Sequence, residues 1–339
     1  MRTAEDLRTM QKAPLSVKVL MTKQRIREWI REFGEDGVYV SFSGGKDSTV
    51  LLHIVREDYP DVKAVFCDTG LEYPEIKEFV KKHDNVDIIR PEMTFKNVII
   101  KHGYPLISKE ISRKFDGFYQ NKEWAKKFIE GTAKAPDGTK SRYCVDKWAE
   151  ILNMDFKISD QCCKFMKKKP LKAYQKATGK KPIIATMACE SMQRQQAWIR
   201  HGCNAFESSE KKSTPMSFWT EQDVLRYALQ NKIELAKPYG SIIYAENNGQ
   251  YSLIDRDEDK LKMTDLDRTG CIFCGFGCHL EKQSRWLLLR ESHPKLYNYC
   301  IGGGECVNGI WQPSKSGLGM GHVFDQLNEV YGENFIRYK

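Results

Sequence analysis

Short apolar runs alternate with amphipathic segments along the first half of the chain. Within residues 1–35, Leu20, Ile26, Trp29, Ile30 and Phe33 recur at three- and four-residue steps among Lys, Arg and Glu, the spacing of one helix face, and predict a helix leading into the first strand. Residues 38–42 are β-branched and aromatic, Gly44-Gly45 interrupts them, and residues 48–55 resume with helical content. That order is strand, turn, helix. A second apolar run, Val62 to Cys67, stops at Asp68-Thr69-Gly70, and a helix begins at Tyr73 with Pro74 in its first turn. Residues 86–91 and 182–187 supply a third and a fourth run. Strands alternating with helices predict an α/β fold with a parallel sheet flanked by helices, whose ligands meet the carboxyl ends of the strands.

Elsewhere the pattern changes. Residues 107–150 are charged and aromatic, with Gly131, Pro136 and Gly138, and predict a surface insertion. Thr220 reads as the N-cap of a helix running through Leu229. Beyond about residue 245, Asn, Asp, Lys and Gly dominate as far as Gly270-Cys271. The expected division is an N-terminal helical segment, 1–35, a nucleotide-binding domain, 36–245, and a small cysteine-bearing C-terminal region, 246–339.

The turn after the first strand carries the clearest chemistry. Ser41-Phe42-Ser43-Gly44-Gly45-Lys46-Asp47-Ser48 can aim backbone N–H groups and a helix N-terminus at phosphate oxygens, because Gly44 and Gly45 permit a tight turn and a close approach. Lys46 adds a full positive charge, and Ser43 and Ser48 add hydroxyls. Gly-x4-Gly-Lys-Ser/Thr is absent, so this is not a Walker A loop. Asp47 reads on its own as a helix N-terminal aspartate favoured by the dipole. Asp68-Thr69-Gly70 closes the second strand and reads on its own as a turn.

Eleven cysteines are many for a chain expected in the cytoplasm, where clustered thiols more often bind metal than form disulfides. Cys162-Cys163 and Cys271-x2-Cys274 offer four thiolates in two short clusters, a set for tetrahedral zinc or a four-iron cluster, with Cys278 as a fifth candidate. Buried structural thiols are the plainer reading. The net charge of +9 admits nucleic acid, an anionic nucleotide or a lysine-rich surface, and the runs Lys167-Lys168-Lys169, Lys180-Lys181 and Lys211-Lys212 are not interleaved with aromatics. No apolar run approaches the roughly 20 residues that span a bilayer, so no membrane partner is expected. An N-terminus with Glu5 and Asp6 and no apolar stretch predicts no secretion signal.

Ser43-Gly44-Gly45-Lys46-Asp47-Ser48 resembles the Ser-Gly-Gly-x-Asp-Ser motif of the PP-loop superfamily. Asp68 to Glu75, the paired cysteines, and Pro215-Met216-Ser217-Phe218-Trp219-Thr220-Glu221-Gln222-Asp223-Val224 are similar to the phosphoadenosine phosphosulfate reductase branch. The resemblance implies a Rossmann-like, adenine nucleotide alpha hydrolase-like domain. In it Ser41, Ser43, Gly44, Gly45, Lys46, Asp47 and Ser48 hold phosphates, and Asp68, Thr69, Gly70 and Glu72 meet the adenosine of ATP or a related nucleotide. Glu190-Ser191-x-x-Arg194 resembles an element whose arginine approaches the phosphates, which gives Lys46, Asp47 and Arg194 catalytic roles with Mg²⁺.

Cys-Cys with Cys-x2-Cys resembles the set Cys162, Cys163, Cys271 and Cys274 that would hold a [4Fe-4S] cluster. The branch's terminal Glu-Cys-Gly-Leu-His element is missing, with Glu305-Cys306 its nearest approximation. That tilts the resemblance toward the iron-sulfur ATP pyrophosphatase members of DNA phosphorothioation systems, which work beside a cysteine desulfurase or other sulfur donor, with DNA as an acceptor. The alternatives are a sulfonucleotide reductase and a non-catalytic, cluster-bearing nucleotide sensor. Oligomeric state is left open.

Overall fold

A computed structural model describes residues 2–245 and 260–339. Helices α1 (Ala4–Gln11) and α2 (Leu15–Phe33) precede β1 (Val38–Ser41), α3 (Lys46–Asp58), β2 (Ala64–Cys67), α4 (Pro74–Lys81) and β3 (Val86–Ile89). There follow α5 (Phe95–His102), β4 (Leu106–Ile107), α6 (Lys109–Tyr119), α7 (Glu123–Ile129), the single turn α8 (Gln161–Cys163), α9 (Lys169–Thr178), β5 (Lys181–Ile183), α10 (Met192–His201), α11 (Glu221–Gln230) and β6 (Ile242–Tyr244). Beyond residue 259 come β7 (Leu261–Met263), β8 (Gly275–Phe276), α12 (Arg285–Ser292), α13 (Pro294–Ile301), β9 (Glu305–Val307), β10 (Ile310–Gln312) and α14 (Met320–Tyr331).

The chain forms two compact units. One comprises Met1–Asp68, Glu72–Arg90 and Leu171–Gly270; the other comprises Thr69–Leu71, Pro91–Pro170 and Cys271–Lys339.

The first unit is built on a four-stranded sheet of order β3-β2-β1-β5, parallel throughout, with Val40 opposite Ala64 on one side and Ile183 on the other. Val38, Tyr39 and Val40 are all but fully buried, as a central parallel strand demands. The N-terminal segment is two helices rather than one. Lys12-Ala13-Pro14 separates them, because Pro14 has no N–H to continue α1 and instead sits at the N-cap of α2. Nor is that segment a separate domain. Trp219 Nε1 donates to Thr22 Oγ1 at 2.8 Å, Thr22 donates to the Pro215 carbonyl at 3.3 Å, and Lys18 pairs with Asp223 at 2.7 Å. These bonds fasten α2 to the chain that leads into α11.

The second unit draws on two stretches far apart in sequence. Leu106 and Ile107 pair in parallel with Gly275 and Phe276, and Tyr104 Oη donates to the Leu318 carbonyl at 2.8 Å. Residues 107–150 are therefore not a surface insertion: α6 and α7 bury Phe115, Ala125 and Ile129, and the following 3-10 turn buries Trp148 and Ile151. The division into 36–245 and 246–339 does not follow the packing either, since residues 91–170 join the C-terminal residues and the break falls at Gly270-Cys271. The stretch 246–259 of the expected C-terminal region lies outside the described residues.

Candidate nucleotide site and cysteine centre

At the carboxyl end of β1, Phe42 N–H still donates to Val65 O at 3.0 Å, and then the chain turns sharply. Gly44 adopts φ +70°, and a Cβ there would stand 2.8 Å from Ile76 Cγ2 and 2.9 Å from Val80 Cγ2. Both the backbone conformation and α4 therefore require glycine. Ser48 Oγ accepts from Ser43 N at 3.1 Å and donates to Gly45 O at 2.9 Å, tying the loop to the first turn of α3, whose N-cap is Gly45. Ser43 is exposed and Ser48 is buried. Both hydroxyls brace the turn: they hydrogen-bond each other at 3.0 Å, and Ser43 Oγ accepts from Gly45 N at 3.3 Å.

Lys46 is buried, with only 4% of its surface exposed, and its ammonium group already has partners: the Asp267 carbonyl at 2.6 Å and Glu221 at 3.0 Å. Its backbone N–H donates to Tyr239 Oη at 3.1 Å, and that phenol hydrogen-bonds Thr269 Oγ1 at 2.7 Å. The segment Asp267-Arg268-Thr269 thus lies as a strap over the helix end at which a phosphate would be received.

Asp47 is different. Its Oδ1 is buried with no hydrogen-bond partner among the described residues. Burial raises its pKa, opposed by the charges of Lys46, Arg268 and Arg194 and reinforced by Glu221. A buried, acceptor-only oxygen with no donor fits a hard cation such as Mg²⁺, which takes oxygen ligands.

Ser191 caps α10 by accepting from Arg194 N at 3.3 Å, and Arg194 pairs with Glu190, whose Oε2 in turn accepts from Met187 N at 3.1 Å. Burial lowers the Arg194 pKa, with Arg268 adding like charge. Asp68 is ion-paired with Lys77 at 2.7 Å and Arg90 at 3.4 Å. Asp68 and Glu72 belong to the same unit as the phosphate loop, whereas Thr69 and Gly70 group with the other. Gly70 has φ +76° and Thr69 Oγ1 accepts from Leu71 N at 3.2 Å, the geometry of a tight turn.

The site thus brings Ser43 to Ser48 and Arg194 together with Glu221, Tyr239, Arg268 and Thr269, which sequence reasoning did not select. Glu221 had a usable signal in the first turn of a helix capped at Thr220. Tyr239 and Thr269 stand in no recognisable motif.

In the second unit, Cys162 and Cys163 stand with their Sγ atoms 4.0 Å apart in α8, and a π-helical stretch, Lys164–Lys168, follows them. Hydrogen bonding to Cys163 and burial raise the Cys162 pKa, with further contributions from Cys274 and Cys271. The Cys163 pKa is lowered by the Cys162 hydrogen bond and by Lys109 and Lys167. Burial pushes Cys274 up to about 11, with Cys271 and Cys163 adding to the shift.

Cys162 is therefore within electrostatic reach of Cys163, Cys271 and Cys274, and Cys274 within reach of Cys163 and Cys271. Among the described residues no three His, Cys, Asp or Glu side chains close on one point as ligands of a single metal ion would. A four-iron cluster takes four thiolates spread around a larger body. The donor set, with the cations Lys109 and Lys167 and with Arg285 donating to the Cys274 carbonyl at 2.8 Å, fits such a cluster in number and charge. Cys278 is buried and donates to the Gly275 carbonyl at 3.1 Å.

The sequence model of the phosphoadenosine phosphosulfate reductase domain matches residues 37–109 and 105–274, well over half the chain. The chain belongs to this family. The match takes in the phosphate loop, Arg194 and all four proposed cluster cysteines, and stops short of Cys278 and Cys306. Among curated members of the phosphoadenosine phosphosulfate reductase family, the chain is similar to the phosphoadenosine 5'-phosphosulfate reductase of Photorhabdus laumondii, 32% identical over 68 residues, covering 20% of this chain and 28% of that protein. It is also similar to the adenosine 5'-phosphosulfate reductase of Bacillus cereus, 31% identical over 87 residues, covering 24% and 37%. These alignments span only about a third of the relatives' own length. A phosphoadenylyl-sulfate reductase structure from Candida auris, in complex with phosphate, superposes with TM-score 0.37 at 15% identity, covering 70% of this chain and 91% of that one. No helix among the described residues is long and apolar enough to cross a membrane.

Proposed function

We propose that this member of the family is an ATP pyrophosphatase that adenylates an acceptor in a sulfur-transfer reaction, with a DNA phosphodiester as the acceptor. The observation that carries the reading is the unpartnered Asp47 Oδ1 in the phosphate loop. A nucleoside triphosphate arrives with Mg²⁺, and Asp47 is the oxygen that would ligate it; the ion would neutralise charge on the departing pyrophosphate. Lys46, released from Glu221 and the Asp267 carbonyl, would turn its ammonium to the same phosphates, while Arg194 and Arg268 supply further positive charge to the transition state. Ser43 and the loop amides orient the triphosphate. Cys162, Cys163, Cys271 and Cys274 would hold a [4Fe-4S] cluster, which would supply redox-active iron and sulfide to the reaction. The sulfur comes from a cysteine desulfurase or an equivalent donor, and the cytoplasm is the setting.

Measuring pyrophosphate release from ATP, with and without duplex DNA and a persulfide donor, tests the reading. Release that requires the acceptor supports it, and ATP that binds without turning over points instead to a nucleotide sensor.

The names of the relatives favour a second reading, a sulfonucleotide reductase, in which a cysteine attacks the sulfonate sulfur. Exposed Cys306 is its candidate thiol. Yet Cys306 lies on β9 opposite Trp311 of β10, in a paired hairpin rather than a free arm. Sulfite released from the sulfonucleotide by the wild-type chain and not by Cys306→Ser would establish that reading.

A further inference from the structure

Within the phosphate-loop unit, α10 and the segments 184–188 and 205–217 line a cavity of about 220 Å³ that opens to solvent at the exposed residues Gln193, Arg194 and His201. Arg194, Lys212, His201, Gln193 and Thr186 line it, with Trp198 as its largest apolar wall, and no Asp or Glu contributes to the lining. Among the described residues the side chains of Lys212, His201 and Gln193 have no hydrogen-bond or ion-pair partner, although Lys212 is half-buried. An anion in the cavity would give the Lys212 ammonium the counter-charge that no described side chain supplies.

Arg194 gives the cavity its functional address. The same side chain that lines it also acts electrostatically on Asp47 in the phosphate loop. An anion held here would lie beside the nucleotide's reacting end rather than at a remote surface. The volume limits what it can bury: pockets that take up whole small molecules run from about 300 to 1,000 Å³, so 220 Å³ suits one anionic group with its immediate organic neighbour rather than a whole nucleotide.

We infer that this cavity receives the phosphate ester of the acceptor, with Lys212 and Arg194 as its cationic partners and Gln193 and Thr186 as hydrogen-bond donors. The inference rests on the adenylating reading above, since it supplies the second substrate of that reaction. It assigns Lys212 to acceptor binding and not to ATP.

The test uses the full chain saturated with a non-hydrolysable ATP analogue and Mg²⁺, titrated calorimetrically with a dinucleoside monophosphate and, separately, with inorganic phosphate. Both probes are expected to bind. Lys212→Ala should weaken each by roughly tenfold and Lys212→Arg should restore most of the loss. Ala197→Leu, which fills the cavity from α10, should weaken both probes without removing a charge. Affinity for the ATP analogue and the melting temperature report that each variant is folded.

Probe affinities unchanged in Lys212→Ala, or no binding of either probe, overturn the inference. Binding of inorganic phosphate but not of the dinucleoside monophosphate overturns the ester assignment and marks a site for a free oxyanion. Wild-type protein that binds both probes but never releases pyrophosphate removes the adenylating reading while leaving the acceptor cavity standing.

Discussion

Asp47 separates a functional residue from a structural one by the sign of its effect. A helix N-terminal aspartate stabilises its helix, so replacing it lowers stability. Asp47, however, has a pKa raised above its usual 3.8 by burial, which means that the folded chain holds its proton more tightly than the unfolded chain does. Stability is then greatest below pH 3.8 and falls as the pH rises toward the elevated value, leaving the full penalty in place at neutral pH. Asp47→Asn removes that penalty. The expected result at pH 7, without nucleotide or Mg²⁺, is a melting temperature equal to or above wild type, while pyrophosphate release falls by roughly 10²-fold. A lower melting temperature with activity kept would return Asp47 to a capping role. Without nucleotide or Mg²⁺, the melting-temperature deficit of wild type relative to Asp47→Asn should shrink as the pH is lowered toward 3.8.

Gly44→Ala is the structural counterpart. It places a Cβ in a left-handed conformation against Ile76 and Val80, and a loss of about 1–2 kcal/mol in a denaturant titration is expected, together with weaker nucleotide binding.

At the scale of elements, what was legible was whatever a local rule enforces. Gly44 and Gly45 announced the turn because backbone geometry restricts the choice of residue there. Thr220 announced α11, and it forms a capping box with Asp223. The strap was not legible, because its contacts with Lys46 depend on residues 193 and 221 positions away in the chain. No periodicity encodes such a meeting. Its role is exposed by Tyr239→Phe. The phenol oxygen accepts the Lys46 N–H that a phosphate oxygen would need, so removing it removes a competitor. Since one such hydrogen bond is worth about 1 kcal/mol net, nucleotide should bind roughly fivefold tighter by calorimetry. Weaker binding would make Tyr239 a ligand of the nucleotide instead.

For the whole molecule, the parallel sheet was legible from alternating runs, whereas the division into units was not. Hydropathy marks which residues are buried and says nothing about which buried residues meet, so Leu106 beside Gly275 could not be foreseen. The four thiols fall in one unit and the phosphate loop in the other, which gives the cysteine substitutions unequal expected effects. Cys163→Ser should abolish the visible absorbance and lower the iron content of anaerobically prepared protein, yet leave nucleotide affinity within about twofold, as for independent sites. Cys271 follows Asp267 through Arg268-Thr269-Gly270, the strap that holds Lys46 and Tyr239. Cys271→Ser should therefore lose the iron and also change nucleotide affinity, because loosening one end of the strap alters how readily Lys46 is freed. Equal effects of the two substitutions on nucleotide binding would show that the strap transmits nothing, and a colourless wild-type protein containing zinc would remove the iron cluster altogether.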